Sequence, residues 1–152
     1  GNKYLAFLET DHSKHTLRLI EVITAGEANE SDKLLAFAKS PDPSTRYWVA
    51  VWLGVNQTAG GKATLLKLTS APVPAVRIAA AQALCKFGEL GQLKLLVEHI
   101  NDPNFLVGMF ALRAIEELGD AGKAHREAIA AAQKSKYEFS RRIARRLTAK
   151  WR

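Results

Sequence analysis

The chain has 152 residues, a net charge of +7, one cysteine and four histidines, a size that suits one domain whose core needs no metal or disulfide staple. Cys85 cannot form an internal disulfide, and His12, His15, His99 and His125 share no spacing with other ligands that would make a zinc site, so no metal or cofactor is expected. No apolar run reaches the roughly 18 residues of a membrane span, and the first residues lack the layout of a signal peptide, so no membrane partner is expected either.

In chain order, Leu17, Leu19, Ile20, Val22 and Ile23 suggest a helix from about Ser13 to Thr24, with Tyr4, Leu5, Phe7 and Leu8 on its partner. This would be a degenerate first helical hairpin over residues 3–25. The next unit, residues 31–57, opens with Leu34, Leu35 and Phe37, turns at Pro41 and Pro43, and continues through Thr45–Leu53 with apolar residues three and four apart. Residues 61–88 repeat that plan with Leu65, Leu66 and Leu68, then Pro72 and Pro74, then the alanine-rich run from Val76 to Leu84. Residues 91–119 repeat it again. A shift of 31 carries Val76 onto Val107, Ala80 onto Ala111, Ala83 onto Ala114, Leu84 onto Ile115, Phe87 onto Leu118 and Gly88 onto Gly119, without a gap. Last comes a unit over 121–152, in which Phe139, Ile143, Leu147 and Trp151 align with the third copy at a shift of 32 and make a terminal capping helix.

The second helix of each unit is apolar or small on most of its circumference, so it must be covered on more than one side. One hairpin cannot do that, whereas stacked neighbours can, and a period of this length is the signature of a solenoid. The expected fold is therefore all-α: a short right-handed α-solenoid of four to five stacked helical hairpins. No segment sustains alternation of apolar and polar residues, so no sheet is expected.

Three segments resemble the HEAT family, especially its short bacterial, phycobilisome-lyase-like variety: Asp42–Ala50, Ala75–Leu84 and Asp102–Val107. In that pattern an acidic turn precedes Val-Arg, two alanines, Ala-Leu and a closing Gly. The family's Arg is present as Arg46 and Arg77 but becomes Gly108. The acid six positions earlier is Asp102 in the third copy but Ser40 and Ala71 in the others, so any Asp-to-Arg ladder between layers is incomplete. The run Arg46–Gly54 followed by the Arg77 copy also resembles the HEAT-like C-terminal extension of some bacterial sulfatases. That resemblance implies an accessory piece of a longer sulfate-ester hydrolase, with its own upstream catalytic domain as partner and a periplasmic or extracellular location.

Catalysis is not expected in this chain. A formylglycine nucleophile needs Cys or Ser, then Pro two positions on and Arg two beyond that, whereas Cys85 is followed by Lys86, Phe87, Gly88 and Glu89. Cys85 lies on an apolar helix and reads as a small buried hydrophobe. Gly60-Gly61-Lys62 is not a phosphate loop, since Asn56 and Ala63 stand where Gly and Ser or Thr are required.

Two clusters are candidates for interaction. Tyr47 and Trp48 either line a concave groove for a peptide or sugar or pack in the core, while Trp52, equivalent to Ala83 and Ala114, reads as core. The second cluster is basic: residues 1–120 carry 12 basic and 13 acidic groups, and residues 121–152 carry 10 against 2. Arg141, Arg142, Arg145 and Arg146 flank the Phe139–Trp151 stripe, either as a solvated cap or a contact with a neighbouring domain, or as an anion-binding surface. Another protein is the expected partner of a free-standing scaffold; nucleic acid is the less favoured one.

Overall fold

The computed structural model describes residues 4–11, 16–24 and 27–151. From Glu30 onward these form four helical hairpins: α1 (Glu30–Phe37) with α2 (Pro43–Asn56), α3 (Gly61–Leu68) with α4 (Pro74–Lys86), α5 (Leu93–His99) with α6 (Phe105–Glu117), and α7 (Arg126–Ala131) with α8 (Glu138–Lys150). Short 3-10 turns at Leu90–Gln92 and Gly119–His125 lead into α5 and α7, and a third at Ala132–Lys134 follows α7. This is the expected all-α solenoid.

Local chemistry sets the hairpin ends. Pro43 and Pro74 occupy the first turns of α2 and α4, where the missing N–H costs nothing. Asp42 caps α2 by accepting from the Ser44 and Thr45 backbone N–H groups, and Asn104 caps α6 by accepting from that of Leu106. After the second helices the backbone turns left-handed at Gly88 (φ 90°) and Gly119 (φ 62°); one period earlier Gln57 takes the same conformation (φ 49°). Gln57 compensates for its Cβ by donating from Nε2 to the Lys86 carbonyl at the end of α4, 2.9 Å away.

Alternate faces of α4 feed the two halves of the core. Val76, Ala79, Ala80, Ala83 and Leu84 pack with Leu65 of their own hairpin and with Leu34, Val49 and Leu53 of the preceding layer. Ile78, Ala81 and Cys85 pack with Leu96, Leu112 and Ile115 of the following one. α4 is thus covered on both sides, as its weak amphipathicity requires. Removing its apolar surface from water contributes roughly 25 cal/mol per Å², which no isolated hairpin could collect.

The N-terminal expectation is corrected. Thr16–Thr24, the described part of the expected Ser13–Thr24 helix, is a β-strand (β2) paired antiparallel with Tyr4–Asp11 (β1), so a two-stranded sheet stands where a fifth helical hairpin was expected. Residue 3, residues 12–15 and residue 25 of that unit lie outside the described residues, as do His12 and His15. The physical reason lies in the register: Phe7 pairs with Glu21 and Leu8 with Leu19, leaving Ile20 as an extra residue. A bulge breaks the period-2 pattern, and the displaced Ile20 puts apolar residues three and four apart, mimicking a helix. Thr16, Ile20, Val22, Ile23 and Thr24 are β-branched and favour the extended chain. Ile23 is fully buried against the first layer, so the sheet covers the open side of the stack. A second correction concerns α8, which starts 33 residues after α6, one more than the expected shift of 32.

Candidate interaction groove

The second helices α2, α4, α6 and α8 line a groove of about 450 Å³. Its floor is α4, where Ala75, Ala79 and Ala83 leave space, and its walls are Tyr47, Val51 and Val55 on α2 and Met109, Phe110 and Arg113 on α6, with Phe139 reaching in from α8. An adjoining hollow of about 260 Å³ shares Tyr47, Ala75 and Phe110 and adds Trp48. The groove exists because one helix of small residues sits between two of large ones, and the period places the sizes in register: Trp48, Ala79 and Phe110 occupy equivalent positions.

Large apolar side chains remain open to water along it. Trp48 is 51% exposed, Val55 52%, Phe110 43% and Phe139 45%, whereas large aromatics normally bury most of their area. Trp48 meets Tyr47 edge to face, ring centroids 5.3 Å apart. Tyr47 is half-buried, packed against the core and lining the groove, while Trp48 is exposed and lines the adjoining hollow. Trp52 is buried at 7% and its indole N–H donates to Glu30 Oε1 at 2.9 Å, with the Thr58 hydroxyl donating to the same oxygen at 2.7 Å.

Polar groups collect at the far end of the groove. Gln82 Nε2 donates to Glu117 Oε2 across the α4–α6 junction at 2.8 Å. Burial, and secondly the negative charge of Glu117, push the Tyr47 hydroxyl above its ordinary pKa, so that hydroxyl keeps its proton as a donor at neutral pH. Sequence reasoning missed Phe110 and Phe139, because in a single helix an apolar residue three or four positions from others looks like core, and missed Gln82 and Glu117, which only the packing of α4 on α6 brings together.

The four arginines of α8 do not act as one surface. Arg141 Nη1 donates to the Ser135 and Lys136 carbonyls at 2.8 and 3.0 Å, and Nη2 pairs with Glu138. Arg46 makes the same pair of bonds to Ser40 and Pro41, and Arg77 to Ala71 and Pro72. In each case the guanidinium ties down carbonyls five and six residues back. The fourth equivalent, Gly108, has no room for a side chain: a Cβ there would lie 2.6 Å from the Ile100 carbonyl oxygen. Arg146 is held by Glu116 at 2.5 Å, and the opposite flank of Glu116 is taken by Arg113 at 2.6 Å. Arg142 and Arg145 are exposed, with no ion pair among the described residues. They stand where α4 has Ile78 and Ala81, the side chains that meet the next layer.

Cys85 is buried and its thiol is pushed up to about 11 by burial, which leaves it a packing residue at neutral pH. Among the described residues no three His, Cys, Asp or Glu side chains gather in a way that could hold a metal ion, and no helix is long and apolar enough to cross a membrane.

No curated protein sequence matches the chain. The family model described as HEAT repeats matches residues 31–109, just over half of the sequence, and the matched span runs from α1 into α6, which takes in the units that repeat at 31 but not α8. The chain belongs to the HEAT-repeat family.

Proposed function

We propose that this chain is a non-catalytic interaction scaffold that holds a segment of a partner protein against the groove of its second helices. The observation that carries this reading is the row of solvent-exposed apolar side chains, Trp48, Val55, Phe110 and Phe139, along a concave surface with a small-residue floor. Contiguous apolar surface of that kind marks a contact site, and aromatic anchors beside pockets dominate protein interfaces. A photo-crosslinking residue at Val55, compared with one at Lys94 on a first helix, tests it in the producing cell. A discrete protein crosslinked from 55 and lost on Trp48→Ala with Phe110→Ala supports the groove; equal crosslinking from both positions, or from neither, sinks it.

The narrower placement, as the C-terminal extension of a bacterial sulfatase contacting its own catalytic domain, rests on the resemblance of Arg46–Gly54 and the Arg77 copy. In that case the partner is intramolecular and the location periplasmic or extracellular. Its test is the gene: an upstream Cys or Ser followed by Pro and Arg at alternate positions supports it, and an upstream region without that pattern removes it. A free-standing scaffold then remains. An anion or nucleic-acid surface on α8 has less in its favour, since Arg141 and Arg146 are engaged within the fold.

A further inference from the structure

On a different face from the groove, α1, α2 and α3 enclose a pocket of about 340 Å³ lined by Leu35, Lys39, Arg46, Lys67, Leu68 and Ala71 among others. Three of its residues are cationic and none of those lining it carries a carboxylate. Arg46 Nη1 is spent on the Ser40 and Pro41 carbonyls. Its remaining donors have no partner among the described residues, and the same holds for the Lys39 and Lys67 ammonium groups.

The next joint of the solenoid shows what this position holds when the chain supplies it. A shift of 31 carries Arg46 onto Arg77, Lys67 onto Glu98, Leu68 onto His99 and Ala71 onto Asp102. There Arg77 Nε lies 3.3 Å from His99 Nε2, and His99 Nδ1 lies 3.7 Å from Asp102. In the second joint Asp102 is thus linked to Arg77 through His99, and Glu98 adds a second negative charge felt by the imidazole. In the first joint those two positions are a lysine and an alanine, so the same architecture carries an uncompensated positive site with an apolar wall. A guanidinium with free donors is best met by a carboxylate, which accepts its fork of N–H groups, and the volume left open is that of a small-ligand site.

We propose that this pocket binds a small organic carboxylate with an apolar tail, its carboxylate supplying the negative charge that Asp102 and Glu98 bring to the next joint. The tail lies on Leu35, Leu68 and Ala71, and Lys39, Arg46 and Lys67 surround the charge. This proposal is independent of the groove and of any partner protein.

Titration calorimetry with octanoate on the full chain tests it, with 1-octanol and inorganic phosphate as probes carrying only the tail or only the charge. Octanoate is expected to bind with one-to-one stoichiometry and more tightly than either control. The double variant Lys67→Glu with Ala71→Asp gives the first joint the acids of the second. It should weaken octanoate binding by about tenfold or more, the scale of one charge-assisted contact. Lys67→Glu alone, a change on the exposed surface, provides a second variant expected to bind less well while keeping its thermal midpoint. The proposal is overturned by an absence of heat at millimolar octanoate, by undiminished binding in a folded Lys67→Glu chain, by phosphate binding as tightly as octanoate, or by octanoate binding that is lost instead on Trp48→Ala with Phe110→Ala.

Discussion

Gly54 on α2 and Ala83 on α4 cross with no room between them: a Cβ built on Gly54 would lie 2.6 Å from the Ala83 Cβ and 2.9 Å from its Cα. Two of the second helices therefore touch backbone to backbone, which fixes the spacing of the first two layers and sets the depth of the groove above Ala79 and Ala83. Both obstructing atoms belong to or sit directly on the α4 backbone, so relief requires moving a helix. Gly54→Ala is expected to destabilise the fold by about 1–3 kcal/mol, the usual cost of overpacking, despite the better helix propensity of alanine. Urea unfolding followed by circular dichroism measures it; a stability equal to or above that of the parent would show that the layers are free to slide.

His99 makes stability depend on pH. Burial lowers its pKa below the ordinary 6.5, the nearby charge of Arg77 lowers it further, and Asp102 and Glu98 oppose both without reversing the direction. The folded chain thus binds the imidazole proton less readily than the unfolded chain does. The neutral ring's contribution is whole above about pH 6.5 and is lost as the pH falls through the lowered folded value. The parent should lose thermal stability between neutral pH and about pH 5, and His99→Leu, which installs the residue of the preceding layer, should flatten that part of the profile. An unchanged slope in the variant would assign the dependence to other groups.

The solenoid was legible in the sequence because three copies at a spacing of 31 repeat their Pro turns and their Ala, Leu and Gly positions together, and such coincidences survive without knowing any contact. The β-hairpin was hidden by one residue, Ile20, whose insertion shifts the phase of a strand until it resembles a helix. The sheet precedes the first of those copies, so the repeat pattern could be read without it, although Ile23 shares the core of the first layer. Tyr47 and Trp48 could be singled out by density, but the hollow they share with Ala75 of α4, like the membership of Phe110 and Phe139 in the same surface, exists only once the layers are assembled. The different fates of the α8 arginines depended on register. An expected shift of 32 concealed that Arg141 is the counterpart of Arg46 and Arg77, which the observed shift of 33 makes plain.

That register also separates the arginines by consequence. Arg141 joins two carbonyls of the turn before α8 to Glu138, and Arg141→Ala should cost about 0.5–1.5 kcal/mol, since only the Ser135 acceptor is partly buried and the other is met by water. Arg142 and Arg145 touch no such group, so their replacement by alanine should change stability by no more than about 0.5 kcal/mol. Their effect lies in what they prevent. Ile78 and Ala81 at the same positions of α4 bury themselves in the next layer, and α8 with such residues in place of its arginines would offer an apolar face to another copy. Arg142→Ile with Arg145→Ala is therefore expected to leave the helical content unchanged while raising the mass by light scattering in a concentration-dependent way. Addition of salt should not reverse it, because the new contact is apolar. Should the double variant keep the parent's mass at every concentration, the two arginines are not what keeps this face of α8 from self-association.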